Sequence, residues 1–141
     1  MRLVNRALFV SFAAVLVVSS GLAAADSKDL KSSPQVKAYE AVRKAVQAGD
    51  FEAYKKAMTK ESAKKMDEQI KESKMDTKKG MEFLKAMEPA DLKYTDLKVN
   101  GKKATLMATG KVAGEANKGT IELEQEDGQW KVARQSWTNA K

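Results

Sequence analysis

The chain has 141 residues, 43% of them hydrophobic, and carries 26 lysines and arginines against 19 aspartates and glutamates. Because it contains no cysteine and no histidine, its composition excludes disulfides, histidine-ligated zinc or haem, and Ser-His-Asp catalysis. The basic excess is mild and interspersed with acids, which in an exported protein favours anionic envelope surfaces, polymers or proteins over nucleic acid as partners.

The first 25 residues have the pattern of a secretory signal peptide. Arg2 and Arg6 precede an apolar run over residues 7–18, and three alanines at 23–25 form a small-residue cleavage site before Asp26. The apolar run is shorter than the roughly 20 residues that a membrane-spanning helix needs. We therefore expect a cleaved leader, a periplasmic or secreted protein, and a mature chain with no transmembrane segment.

Residues 26–33 are polar and predict a loose segment ahead of one domain over residues 34–141. Apolar residues at helical spacing then predict four helices. The first begins at Pro34 after the capping residue Ser33, and the second begins after Asp50. The third, over roughly Lys60–Ser73, is expected to be mostly exposed. The fourth is capped by Asp76 or Thr77 and ends before Pro89.

From Leu92 onward the apolar period changes to two, which predicts a meander of four antiparallel strands. The pairs 100–101 (Asn-Gly) and 127–128 (Asp-Gly) are signals for two-residue hairpin turns. Residues 114–119 predict a looser link between the two hairpins. Helices followed by such a meander predict an α+β fold, in which N-terminal helices pack on a curved, four-stranded antiparallel sheet.

The turns also predict which residues face each other. The first hairpin is expected to pair Leu97 with Ala104 on the inner face and Tyr94 with Met107 on the outer face. The second is expected to pair residues 123 and 125 with 132 and 130. The inner face is apolar along both hairpins, so the predicted register is internally consistent.

Three segments carry a family resemblance: Ala-Gly-Asp-Phe at 48–51 with Tyr54 one turn on, Val-Asn-Gly-Lys-Lys-Ala at 99–104, and Asp-Gly-Gln-Trp-Lys-Val at 127–132. In these the chain resembles the nuclear transport factor two-like, or cystatin-like, superfamily, especially its small exported bacterial members of unknown function. The resemblance implies a cone-like fold that can leave an apolar pocket at its open end. Some such relatives catalyse proton transfer there, whereas others are binding or dimerisation modules.

The candidate ligand-binding residues are large side chains on the predicted inner faces. They are Tyr39, Tyr54, Phe83 and Trp130, with Arg134 as a cation at the pocket mouth. The alternative is that the aromatic residues form an ordinary core and Arg134 a solvated strand end.

A second set of apolar residues is predicted on the outer face of the sheet: Leu92, Tyr94, Met107, and Trp137 if the last strand has no bulge. A sheet with apolar residues on both faces usually has its second face covered. This pattern predicts a homodimer, or an envelope protein partner, docked on that face.

Glu122, Glu124 and Glu126 share one face of a strand, but alternate residues lie roughly 7 Å apart, which is too wide for a compact metal site. We expect no metal and no cofactor. The leading hypothesis is an exported, non-enzymatic module that binds a small apolar ligand or an envelope protein. The alternatives are an isomerase- or dehydratase-like enzyme that uses a buried carboxylate with Tyr39 or Tyr54, and an electrostatic binder of anionic envelope polymer.

Overall fold

The computed structural model describes residues 27–141, and the predicted signal peptide lies outside them. Helices come first along these residues and an antiparallel sheet follows. The helices are α1 (Ser27–Leu30), α2 (Pro34–Ala48), α3 (Phe51–Ala57), α4 (Lys60–Ser73) and α5 (Thr77–Ala86). The strands are β1 (Ala90–Asn100), β2 (Lys103–Val112), β3 (Glu115–Glu126) and β4 (Gln129–Asn139), paired in the order β1-β2-β3-β4. The predicted α+β fold is confirmed.

Side-chain caps set the starts of the four longer helices. The Ser33 hydroxyl accepts from the Val36 amide, and Asp50, Thr59 and Asp76 cap α3, α4 and α5 in the same way. Each cap satisfies an amide that has no partner within the helix. Gly49 then ends α2 in the left-handed conformation, with φ 67°.

The segment ahead of α2 is not loose, as the sequence analysis expected. Residues 27–30 form the short helix α1, which lies against β1. Leu30 is fully buried in the core. Burial of the Leu30 side chain contributes about 1.5–3 kcal/mol to holding this otherwise polar segment against the domain.

All three connections in the sheet are two-residue turns. At Asp127 and Gly128 both φ angles are positive, as the sequence predicts. The first hairpin turns one residue later than expected, with Asn100 paired to Lys103 and positive φ only at Gly101. The looser link expected over 114–119 is instead a tight turn at 113–114, and β3 already begins at residue 115.

Extra residues in two strands change which side chains face the helices. The later first turn moves every pair of β1 and β2 by two residues, and the unpaired Thr95 moves the pairs beyond it back by one, so Tyr94 pairs with Ala108 rather than Met107. Ala133 is unpaired in β4, between Val132 opposite Leu123 and Arg134 opposite Glu122. A bulge of one residue reverses the alternation of every side chain beyond it.

The helices pack on one face of the sheet and close a single core. Val36, Tyr39, Val42 and Val46 form the buried stripe predicted for α2, and they meet buried residues of all four strands. Those strand residues are Tyr94, Ala104, Leu106, Ala108, Ile121, Leu123 and Val132. The other face of the sheet, called the outer face below, is mostly polar.

Candidate functional site

The predicted ligand-binding residues do not converge on one pocket. Tyr54 and Phe83 line a groove between α3, α4 and α5, whereas Tyr39 lines a second cavity between α2 and β4. Trp130 is half-buried against the core. Arg134 is exposed and pairs with a glutamate on the outer face. The five residues therefore divide among a groove, a cavity, the core and the surface.

The groove between α3, α4 and α5, called the helical groove below, is almost wholly apolar and has a volume of about 230 Å³. Its walls come from Phe51 and Tyr54 of α3, Met66 and Ile70 of α4, and a stretch of α5. The α5 residues are Thr77, Gly80, Met81, Phe83 and Leu84, and Met75 lies just ahead of them. Three methionines and a glycine in such a lining leave room for an apolar guest, because thioether chains adapt their shape.

The phenol of the groove lining, that of Tyr54, has no hydrogen-bond partner in the described structure. Tyr54 is buried, and its hydroxyl makes no hydrogen bond to any group within residues 27–141. Burial raises the pKa of Tyr54, so the hydroxyl keeps its proton and remains a donor. It is not completely enclosed, since no fully buried side-chain polar atom in this part of the chain lacks a partner. A single available phenol in an apolar groove is the arrangement that orients a ligand.

The rim of the groove exposes large apolar side chains. Phe83 was predicted to face inward, yet it is 65% exposed, and Met75 beside it is 52% exposed. Met81 is the α5 residue that points into the core. Phe83 follows it by two residues, which places it about 200° around the helix, so its side chain faces away from the core. Phe83 therefore forms a wall and lip of the groove rather than part of a closed pocket.

The second cavity, about 170 Å³ in volume, lies where α2 meets the end of β4. The Tyr39 hydroxyl donates to Gln135 Oε1 at 2.9 Å, and the Trp137 indole nitrogen donates to the same oxygen at 3.3 Å. Burial raises the pKa of Tyr39 far above its ordinary value. Both polar groups are thus already occupied within the protein.

A charged network borders this cavity and was not anticipated from the sequence. Arg43 Nε donates to Glu88 Oε1 at 3.0 Å, and its Nη1 donates to Glu40 Oε1 at 3.2 Å. Tyr94 donates its hydroxyl to Glu40, and its ring meets Tyr39 edge-on with centroids 6.4 Å apart. Burial, followed by the Glu40 carboxylate, raises the pKa of Tyr94 strongly. The network ties α2 to the α5–β1 junction and to the sheet.

The predicted outer-face interface is wrong for three of its four residues. The Thr95 bulge turns Tyr94 into the core, and Leu92, two residues before it, also packs against the core. The Ala133 bulge does the same for Trp137, which packs against the core opposite Gly119. Met107 alone remains on the outer face, half-buried beside polar neighbours.

The Ala133 bulge also places Arg134 on the face of the sheet opposite to the one predicted. The sequence placed it on the inner face with Val132 and Ile121, but beyond the bulge it pairs with Glu122 on the outer face. Its guanidinium donates to Glu122 at 2.7 Å, and this hydrogen bond raises the pKa of Arg134. It forms an exposed ion pair and does not contribute to a pocket mouth.

The three alternating carboxylates of β3 are each engaged separately. Glu122 pairs with Arg134, Glu124 lies 3.8 Å from Lys103, and Glu126 accepts from the Lys60 amide at 2.9 Å. Within residues 27–141, no three acidic side chains come together in a way that could hold a metal ion. None of the helices described here is long and apolar enough to cross a membrane.

Sequence reasoning missed both Gly80 and the Arg43 network. Gly80 sits inside α5, where glycine costs about 1 kcal/mol relative to alanine, so its position was a detectable signal. Arg43 follows Glu40 by three residues, a spacing that indicates a local pair but not the partner in Glu88. That second contact spans 45 residues and depends on the tertiary fold.

No protein-family model matches this chain, and no curated protein matches it either. The functional assignment therefore depends on the geometry of the groove and of the cavity.

Proposed function

We propose that this protein is an exported, non-enzymatic binding module that holds a small apolar ligand in the helical groove. The observation that carries the proposal is an apolar groove of about 230 Å³ lined by Tyr54, a phenol whose hydroxyl has no hydrogen-bond partner within residues 27–141. The ligand class that fits is a small hydrophobic molecule with one hydrogen-bonding group. The groove residues would exclude water from the apolar part, and Tyr54 would orient the polar part.

Two further parts of the proposal come from sequence. The leader pattern over residues 1–25 supports export to the periplasm or beyond. The order of helices followed by an antiparallel meander supports membership in the nuclear transport factor two-like superfamily, several of whose branches are binding modules. Docking of a partner or a second copy through the outer face is no longer proposed, because Met107 is the only one of the four predicted residues that lies there.

The enzyme alternative has one observation in its favour. The Glu88 side chain is only 11% exposed and lines the second cavity together with Tyr39. We rank it second because Arg43 and Gln47 both donate to Glu88 Oε1, so the carboxylate is held in an ion pair. Ligand hydrogens that exchange with heavy water in the wild type, but not in Glu88→Gln, would favour the enzyme.

The first test is native mass spectrometry on the protein exported by its own host, paired with a denaturing spectrum. We expect a mature mass beginning at Asp26 and an additional mass that disappears on denaturation. That additional mass gives the size of the ligand. A clean native mass, together with no binding of the apolar probe phenylnaphthylamine, would refute the proposal.

A matched pair of variants at Gly80 locates the ligand. A methyl group at Gly80 would lie 3.6 Å from Met75 Sδ, an ordinary contact, so Gly80→Ala should fold and gain about 0.5–1 kcal/mol in helix stability. Gly80→Leu sends a longer side chain from the same position into the groove. We expect cargo to be retained in Gly80→Ala and lost in Gly80→Leu. Equal retention by the two variants would place the ligand elsewhere.

A further inference from the structure

Exposed large apolar side chains are concentrated at one place in the described structure. Met75, Phe83 and Met87 are 52%, 65% and 45% exposed, and Val99 on the first hairpin is the only other such residue within residues 27–141. Lys79, Phe83 and Met87 follow one another at intervals of four in and just after α5, so they lie along one side of the helix. Met75 lies beside this part of α5, because its Sδ is 3.6 Å from the position that a Cβ atom at Gly80 would take.

Lysines are frequent in the segment that carries this stripe, and their charges are not balanced by ion pairs. Five lysines occur in the C-terminal turn of α4, the α4–α5 connection and α5, and none forms an ion pair within residues 27–141. They are Lys71, Lys74, Lys78, Lys79 and Lys85. Lys79 lies one turn from Phe83 and Lys74 precedes Met75, whereas Lys78 and Lys85 line a separate cavity with Met81 on the other side of α5. Lysines nearer the start of α4 behave differently, since Lys60, Lys64 and Lys65 all have acidic partners. Three acids share the stretch, namely Glu72, Asp76 and Glu82, and the Asp76 carboxylate caps α5.

We propose that this surface, the α5 patch of Lys74, Met75, Lys79, Phe83 and Met87, docks on an anionic lipid bilayer. Protruding phenylalanine and methionine side chains would enter the boundary between headgroups and acyl chains, while Lys74 and Lys79 contact anionic headgroups. The proposal goes beyond ligand binding in the groove and does not depend on it.

Two physical arguments favour a bilayer over other occupants. A second copy of the chain would bring two sets of unpaired lysines together, and like charges repel at short range. A protein partner would have to supply a pocket for a ring that protrudes as far as Phe83 does. A bilayer interface accepts a protruding ring without a preformed pocket, and its negative surface potential attracts the lysines.

The position of the patch also connects membrane docking with ligand binding in the helical groove. Met75 and Phe83 belong both to the patch and to the lining of the helical groove. When the patch is docked, the groove would open toward the acyl region. An apolar molecule could then move between bilayer and groove without crossing bulk water, and the hydration cost of its apolar surface would be avoided.

The test is co-sedimentation of the exported protein with vesicles of pure phosphatidylcholine and with vesicles of equal parts phosphatidylcholine and phosphatidylglycerol. The N-terminus of every preparation is read by mass spectrometry, so that all variants share the same one. We expect binding to the anionic vesicles only, and weaker binding as salt rises. No binding to anionic vesicles at low salt, or equal binding to both vesicle types, overturns the proposal.

Two double variants that remove the same charge provide the matched control. Lys74→Gln/Lys79→Gln removes the two lysines of the patch, and a lysine near an anionic surface contributes about fivefold in affinity, so binding should weaken roughly 25-fold. The control double replaces the lysines at 98 and 102 on the first hairpin with glutamine and should change binding by less than about fivefold. Equal losses in the two doubles would show attraction by net charge alone and would overturn the assignment to this patch.

Insertion of Phe83 is tested separately by fluorescence. The emission added by Phe83→Trp, taken as the difference from the wild-type spectrum because Trp130 and Trp137 also emit, should shift to the blue on anionic vesicles and be quenched by brominated lipid. Val99→Trp is the control, because Val99 is as exposed as Met75 but lies outside the patch. Quenching at position 99 without quenching at position 83 would overturn the proposed orientation. Because the lysine variants leave the groove lining intact, loss of docking with cargo retained would separate this inference from the proposed function.

Discussion

Gly119 of β3 lies directly under the indole of Trp137 in β4, and we predict that Gly119→Ala destabilises the protein. A methyl group at Gly119 would lie 2.6 Å from Cη2 and Cζ2 of the ring and 2.7 Å from Cζ3. Carbon atoms in contact prefer about 3.5–4.0 Å, so the ring would have to retreat by about 1 Å. Overpacking of this kind costs about 1–3 kcal/mol, and replacing a strand glycine would otherwise gain about 0.5–1 kcal/mol. The expected net loss in the free energy of unfolding is about 1–2 kcal/mol.

Urea unfolding followed by circular dichroism measures this loss, and a double-mutant cycle with Trp137→Ala assigns it to the ring. With the indole removed, the methyl group has space, so Gly119→Ala should be neutral or stabilising by up to about 1 kcal/mol in that background. The coupling free energy between the two positions should therefore be about 2 kcal/mol.

A neutral or stabilising effect of Gly119→Ala in the wild-type background would refute the reasoning. The ring would then not lie over Gly119, β4 would run without the bulge at Ala133, and Trp137 would be on the outer face. That outcome would restore the interface that the unbulged register predicts.

Three further predictions concern the tyrosines and Arg134. Burial raises the pKa of Tyr39, Tyr54 and Tyr94, the three tyrosines of the chain. Their contribution to the free energy of unfolding is therefore complete below the unfolded pKa of about 10 and is lost as pH rises above it. Tyrosinate absorbance should appear only together with loss of circular dichroism. A smooth titration near pH 10 in folded protein would contradict this. Tyr39→Phe removes a hydroxyl that donates to Gln135, so it should lower the free energy of unfolding by about 1 kcal/mol and leave cargo retention unchanged. Tyr54→Phe should change the free energy of unfolding by less than about 0.5 kcal/mol and should weaken cargo retention. Arg134→Gln should leave the urea midpoint unchanged, because its ion pair is exposed, and should leave the additional cargo mass unchanged, because Arg134 does not line the groove.

The helices could be predicted from the sequence because the signals that set them are local. Ser33, Asp50 and Asp76 each cap a helix through an amide two or three residues away, and Gly49 ends α2 by its own conformation. None of these interactions requires another part of the chain to be in place. The expectation that α4 is mostly exposed is confirmed for the same reason, since it follows from the composition of that one segment.

The sheet register could be predicted only in the second hairpin, and there only up to the bulge. In the first hairpin the turn falls one residue later than expected, so Leu97 pairs with Leu106 rather than with Ala104. The Asp127-Gly128 turn fixes the pairs closest to it, including Leu123 with Val132. Beyond them Ala133 adds one unpaired residue, and nothing in the alternation of the sequence marks it. The positions of Arg134 and Trp137 both depend on that residue, so both were assigned to the wrong face.

The candidate site was predicted only in part. The sequence of one helix does not show which of its faces is buried, because burial depends on the elements that pack beside it. Tyr54 and Phe83 were identified as site residues, and both do line the groove. The periodicity of α5 could not show that no element covers Phe83, which is why its exposure was missed. The contact of Arg43 with Glu88 was not predictable either, because it joins residues from different elements.

The Ala133 bulge, which the sequence did not predict, also holds α4, one wall of the groove, against the sheet. The residue left unpaired in the ladder, Ala133, has a free carbonyl, and the Ser62 hydroxyl donates to it at 2.6 Å. The Thr59 amide donates to the Val132 carbonyl at 3.0 Å, so the start of α4 is held to β4 at two points. No residue of α4 itself is buried, and its later part contributes Ile70 to the groove lining. The groove thus lies beside a helix held firmly at its start and loosely along its length, the kind of element that can yield to admit a ligand while the core stays intact.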